Sequence, residues 1–192
     1  MAGLCAQGRE PLAVRARAAD CHFAGHDGFA PDATKAFFMT STAIKIRRAG
    51  PADAPAVRQL VCDAYAKWVP VMGREPMPMG ADYDLAVRTH EVDLAYVGGQ
   101  LAALVETILH HDHLFIENLA VAPGHQGRGL GRYLLAHAEA RGRDLGMPEM
   151  RLLTAQAMDG NVRLYQSAGY QIDRTDPFMA GFTVYMSKDL DL

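Results

Sequence analysis

The spacing of apolar positions changes several times along the chain, and each change marks an element. Ile44-Lys-Ile-Arg-Arg48 alternates apolar and polar residues, which predicts a half-buried strand. Pro51-Ala-Asp-Ala-Pro55 then punctuates the chain. Val57, Leu60, Val61, Ala64 and Trp68 recur at helical spacing, so a helix is predicted to start in that proline-bearing turn and to end at Pro70. Residues 71–80 read as a loop rich in Met and Pro, and a short helix is predicted over 82–89. Residues 93–97 and 101–109 read as strands joined by the turn Gly98-Gly99-Gln100. His110-His-Asp-His113 turns into a further strand, 114–121. Leu130, Leu134, Ala138, Arg141 and Leu145 mark one helix face, which Gly146 caps and Pro148 prevents from continuing. A strand at 150–154, a helix at 161–168 and a hairpin of 170–172 with 182–186 complete the chain. The order β-α-α-β-β-β-α-β-α-β-β predicts an α/β fold: a mixed, mostly antiparallel sheet with helices on both faces.

Composition narrows the function. The chain has 192 residues, enough for one domain with a sizeable core. Residues 1–43 are rich in Ala, Gly and Arg and keep no periodicity for long. They are expected to form a flexible N-terminal extension to a domain spanning 44–192. The formal net charge is −3 and no Lys/Arg-rich run occurs, so nucleic acid is not an expected partner. The apolar runs are far too short to span a bilayer, so no membrane is expected either. Cys5, Cys21 and Cys62 show no metal or CxxC spacing, which suits a reduced, cytoplasmic setting. His110, His111 and His113 invite a metal reading, but histidines in a hairpin turn are more often solvated, and no metal is expected.

The most informative segment is Val121-Ala-Pro-Gly-His-Gln-Gly-Arg-Gly-Leu-Gly131. A strand runs into a glycine-rich turn and a helix follows at once. Such a junction aims several backbone N–H groups and the positive end of a helix dipole at one point, where an anion, usually a phosphate, is held. Gly127 and Gly129 begin a G-x-G-x-x-G dinucleotide fingerprint, but its last position is Arg132. No Gly-Lys-Ser/Thr follows, so it is not a Walker A loop.

Gln126, Gly129 and Gly131 do fit Q-x-x-G-x-G. This resembles the pyrophosphate-binding motif of the GNAT superfamily, the acyl-CoA-dependent N-acyltransferases. Ile116-Glu-Asn-Leu-Ala-Val-Ala-Pro123 resembles that family's fourth strand, and Asn161-Val-Arg-Leu-Tyr-Gln-Ser-Ala-Gly-Tyr170 its late helix, N-x-x-x-Y-x-x-x-G-[FY]. The resemblance extends over residues 44 to 188.

It implies acetyl-CoA as co-substrate and transfer of its acetyl group to a primary amine of a small molecule, either a small amine or an amino-acid-like acceptor. The backbone amides of Gln126, Gly127, Arg128, Gly129, Leu130 and Gly131 would hold the pyrophosphate. The backbone of Leu119, Ala120 and Val121 would pair with the pantetheine arm. A bulge in the fourth strand, two residues beyond Glu117, and splaying from the fifth would open the acyl slot. Asn161 would contact the cofactor, and Tyr165, four residues on along the same helix face, would reach the sulphur and donate to the thiolate. Direct attack in a ternary complex is expected, since no cysteine lies in a motif suited to a covalent intermediate.

The base is read from the residues themselves. Glu117 interrupts an apolar strand, where burial raises a carboxylate's pKa toward a useful range, and an ion pair with an arginine is its competing role. Glu106, in the adjacent strand, is the reserve, and water is a third candidate. Met72, Met77 and Met79 would line an adaptable acceptor pocket, with Arg74 and Tyr83 as its polar contacts. Packing is the competing role for each of these, as it is for Tyr165. A homodimer is compatible with this reading. The rival function is a non-catalytic acyl-CoA-binding module, which would need neither Glu117 nor Tyr165.

Overall fold

The computed structural model describes residues 43–191. The extension expected over 1–43 lies, apart from Ala43, outside the described residues. The domain opens with β1 (Lys45–Arg48), then a 3-10 turn at Pro51–Asp53 and α1 (Ala54–Tyr65). Arg47 and the Gly50 N–H both bind the Asp53 carboxylate, at 2.7 and 2.8 Å, and so fix the entry into α1.

Pro70 does not end the helical run. A 3-10 turn at Ala66–Trp68 leads into one more helical turn, α2 (Val69–Met72), with Pro70 in its first turn. There the missing N–H has no intrahelical partner to lose. Gly73, at φ +66, stops the run instead. A 3-10 turn at Met77–Gly80 follows, then α3 (Tyr83–Thr89), capped by the Asp82 carboxylate, which accepts from the Leu85 N–H at 3.1 Å.

The remaining elements are β2 (Glu91–Val97), β3 (Gln100–Leu109), β4 (Leu114–Val121), α4 (Leu130–Asp144), β5 (Glu149–Ala155), α5 (Asp159–Ser167), β6 (Gln171–Phe178) and β7 (Gly181–Asp189). The final hairpin is thus much longer than its apolar pattern predicts. β6 is an edge strand and is exposed along most of its length, so no alternation marks it.

The seven strands form one sheet in the order β1-β2-β3-β4-β5-β7-β6. Every pair is antiparallel except β4–β5. Side-chain alternation feeds two cores. Leu94, Leu104 and Ala120 face α1 and α3, where Val57, Leu60, Val61 and Ala86 are buried. Val105, Leu114, Ile116 and Leu152 face α4, where Leu130, Leu134, Leu135 and Ala138 are buried. Adjacent Leu104 and Val105 serve opposite faces, as the period of two requires. The predicted fold class matches this architecture.

Two irregularities meet at the middle of the sheet. The parallel β4–β5 pairing covers only Leu114–Met150, Phe115–Arg151 and Ile116–Leu152, after which the strands part. On the other side of β4 the register shifts: Thr107 opposes Ile116, but Glu106 opposes Asn118. Glu117 is the extra residue. The bulge therefore lies at Glu117 itself rather than two residues beyond it.

Candidate active site

The parting of β4 and β5 leaves one edge of Leu119, Ala120 and Val121 without a strand partner. Beside that edge lies a cavity of about 510 Å³. Its walls come from β4, the glycine loop, the start of α4, the end of α1 and α5. Gly127 and Gly129 adopt φ of +72 and +84, a left-handed conformation that favours glycine. No N–H from Gly127 to Arg132 has an acceptor among the described residues. The Gln126 N–H does: it donates to the Pro123 carbonyl at 3.3 Å, so the open row begins one residue later than expected. The Gln126 side chain is a brace. Its amide donates to the Val121 carbonyl at 2.8 Å and accepts from the Lys67 ammonium at 2.7 Å, tying loop, strand end and the segment after α1 together.

Gly131 is crowded rather than open. A β-carbon there would stand 3.3 Å from Leu164 and 3.6 Å from Leu119, so this glycine lets α4 approach β4 and α5. Of the residues expected at the cofactor, Leu119, Ala120, Val121, Gln126, Gly127, Gly129, Leu130, Gly131 and Asn161 line this cavity. Arg128 is exposed and does not.

A second cavity, of about 520 Å³, lies on the α1/α3 face of the sheet. Four of the five expected pocket residues, Met72, Arg74, Met77 and Tyr83, line it, together with Glu106 and Glu117. Met79 does not. Its floor is a hydrogen-bond chain. The Tyr65 hydroxyl donates to Asn118 Oδ1 at 2.9 Å, the Asn118 amide donates to the Tyr83 hydroxyl at 3.1 Å, and that hydroxyl donates to the Pro78 carbonyl at 2.8 Å. The bulge is what turns both Glu117 and Asn118 toward this cavity, although neighbours in a regular strand point to opposite faces.

The burial the sequence suggested for Glu117 is found at Glu106 instead. Glu117 is exposed, not buried. Glu106 is the buried one, at 3 % exposure, with an oxygen 2.6 Å from His90 Nδ1. Burial pushes the Glu106 carboxyl above its ordinary value, against the opposing pull of His90.

Tyr65 lines both cavities and marks their junction. Burial pushes its phenol far up, and the neighbouring Tyr165 and Tyr83 hydroxyls add to that. Tyr165 is buried in α5 with its ring 6.0 Å from that of Tyr170, and it lines neither cavity wall. Burial pushes its phenol up to about 12, so it stays protonated at neutral pH. Its hydroxyl makes no hydrogen bond among the described residues.

Sequence reasoning missed Tyr65, Lys67, His90, Asn118 and Phe178. Tyr65 follows Val61 by four residues and could have been read as an extension of the α1 face. Asn118 is a polar residue in an apolar strand, the same signal that pointed to Glu117. Lys67, His90 and Phe178 carry no local signal. Their roles arise only from the tertiary approach of distant segments. The His110-His-Asp-His113 segment is a local turn: the His110 and His113 rings stack at 4.5 Å and His113 Nδ1 lies 2.7 Å from Asp112. Among the described residues no helix is long and apolar enough to cross a membrane.

A family model described as the acetyltransferase (GNAT) family matches residues 56–170, more than half of the chain. The chain belongs to the GNAT family of acetyltransferases. Streptothricin acetyltransferase from Streptomyces lavendulae is 29% identical over 140 residues, covering 69% of this chain and 70% of that protein. Among solved structures, the PaiA N-acetyltransferase of Thermoplasma acidophilum in complex with coenzyme A is similar at a TM-score of 0.68 and 16% identity, covering 77% of this chain and 99% of that one. A GNAT family acetyltransferase from Elizabethkingia anophelis with acetyl-CoA bound is similar at a TM-score of 0.59 and 18% identity, covering 77% and 98%.

Proposed function

We propose that this chain is an acetyl-CoA-dependent N-acetyltransferase that acetylates a primary amine of a small molecule by direct attack within a ternary complex. The observation that carries this reading is the junction of two cavities at Tyr65, one bordered by unpaired backbone donors and the other by two carboxylates. The donor side suits a pyrophosphate. Nothing lies within 4 Å of where a β-carbon would stand on Gly127 or Gly129, so the backbone can approach a ligand closely. The start of α4 adds its dipole. When bound, acetyl-CoA supplies an acyl thioester.

The chain's own residues would do the rest. N–H groups from Gly127 to Gly131 hold the phosphates, and the Gln126 side chain keeps the loop in place. Arg128, exposed on the same loop, adds positive charge from outside the cavity. The unpaired edge of Leu119 to Val121 offers hydrogen bonds to an extended amide-bearing arm, as a sheet edge does to an added strand. Asn161 presents a side-chain amide to the same cavity. Tyr165, buried behind the cavity wall beside Tyr65 at the junction, would be the proton donor to the departing thiolate. Glu117, exposed in the acceptor cavity and without an ion-pair partner among the described residues, takes the amine proton, with Glu106 as the alternative acceptor. The likeness to streptothricin acetyltransferase, named for a small-molecule acceptor, supports the substrate size. The test is release of free thiol from acetyl-CoA in the presence of a panel of primary amines. Release that depends on an amine is expected. No release with any amine, while acetyl-CoA still stabilises the fold, would return the chain to the binding-module alternative.

A further inference from the structure

The second cavity carries a charge pattern that specifies more than an amine. Glu106 and Glu117 supply negative charge beside the Tyr65 junction, and Asp82 is committed to capping α3. Arg74 is the one Lys or Arg among the residues that line this cavity. Unlike Arg47, Arg48 and Arg141, Arg74 has no carboxylate partner among the described residues. One Nη1 donates to the Glu75 carbonyl at 3.0 Å, which leaves the other donors of its fork open. Its guanidinium lies 5.7 Å from the centre of the Phe178 ring. Phe178 ends β6, just before Met179, whose φ of +52 makes the tight turn to β7. The β6–β7 tip and the segment after α2 are therefore joined across the cavity through this stack. An arginine stacked on an aromatic face with its fork unpaired is suited to bidentate recognition of a carboxylate.

The walls between these charges are apolar. Met77, Leu153 and Phe178 line the cavity yet stay 65%, 48% and 39% exposed. Met72 lies beside them. Apolar area of this kind gains from being covered by an apolar part of a ligand.

We propose that the acceptor is an amino-carboxylate with an apolar side chain: its amine meets Glu117 and Glu106, its carboxylate meets Arg74, and its side chain covers Met77, Leu153 and Phe178. This rests on the acetyltransferase reading and narrows it. A simple amine leaves Arg74 unpaired, and a diamine brings a second cation toward it, so both are disfavoured.

The test uses free-thiol release from acetyl-CoA with methionine, leucine and phenylalanine, with the carboxamides of the same three, and with cadaverine. For the full chain, kcat/KM for the amino acids should exceed that for their amides and for cadaverine by about 10–100-fold, the range of one charge-assisted pair. Arg74→Ala should close the gap by raising KM for the amino acids, while Arg74→Lys should keep part of it. An unchanged thermal stabilisation by acetyl-CoA shows that each variant is folded. Amides or cadaverine used as well as the amino acids, or a gap that survives Arg74→Ala, would overturn the proposal and leave the acetyltransferase reading standing. No thiol release with any amine, in a protein still stabilised by acetyl-CoA, would remove both.

Discussion

Two glycines with nearly the same φ separate strain from ligand contact. Gly129 has φ +84 at the start of α4, and Gly99 has φ +82 in the β2–β3 hairpin. At both, nothing lies within 4 Å of where a β-carbon would stand. Alanine at either position keeps its methyl clear of the protein and adds only left-handed strain, about 1–2 kcal/mol. For a domain of this size that lowers Tm by about 2–8 °C, and the two variants should fall by similar amounts. Ligand binding should divide them. Acetyl-CoA at about 100 times its Kd stabilises a folded protein by about 2.7 kcal/mol, or about 5–10 °C. The Gly129→Ala methyl stands where the backbone must approach phosphate. A hundredfold loss of affinity leaves about 0.4 kcal/mol of stabilisation at the same concentration. Differential scanning with and without acetyl-CoA reads both effects. A full ligand shift in Gly129→Ala, or an equal loss in Gly99→Ala, would refute the assignment of the phosphates to this loop.

Tyr165→Phe removes one hydroxyl from a buried ring. Steady-state kinetics should show kcat lower by about 10²–10⁴-fold with acetyl-CoA affinity kept, and wild-type turnover would make Tyr165 structural. Glu117→Gln should shift or remove the acidic limb of the pH–rate profile and be partly rescued at high pH, where the amine is already deprotonated; rescue of Tyr165→Phe to the same degree would contradict the separate roles. Tyr65→Phe leaves Asn118 Oδ1, in a residue only 4 % exposed, without its donor, and should cost about 1–3 kcal/mol in urea unfolding; no loss would show that water replaces the hydroxyl. Glu106 has its folded-state pKa raised above 4.5, so the stability linked to it is full below that pH and is lost as pH rises through the raised value. Glu106→Gln should therefore gain stability relative to wild type as pH rises from about 4 through the raised value, and a difference that does not change with pH would contradict the burial of its charge.

The sequence made some layers of this structure plain and concealed others, for physical reasons. α1 and α4 carry apolar residues at helical spacing because one face of each is buried, and both are legible. β6 is an exposed edge whose polar Asp173, Arg174, Thr175 and Asp176 show no alternation, so its length was invisible. Pro70 misled because proline ends a helix from within but is welcome in a first turn. In the candidate site, the glycine loop is a local object, built from consecutive residues, so its turn and the helix start after it are legible. The acceptor cavity is not local. It forms from α2, α3, β3, β4, β5 and the β6–β7 tip, and only Tyr83 with the Met and Arg residues of the Met-Pro segment hinted at it. The bulge in β4 falls at Glu117 itself and leaves that residue exposed, and strand periodicity gives no warning of an extra residue.

Acetyl transfer is tested most directly by mass spectrometry of the acceptor after incubation of the full chain with acetyl-CoA carrying an isotopically labelled acetyl group. The account predicts a labelled N-acetyl product, formed in step with free CoA and lost in Tyr165→Phe without loss of acetyl-CoA binding. Acetyl-CoA that binds and stabilises the protein but leaves every amine unlabelled would contradict it.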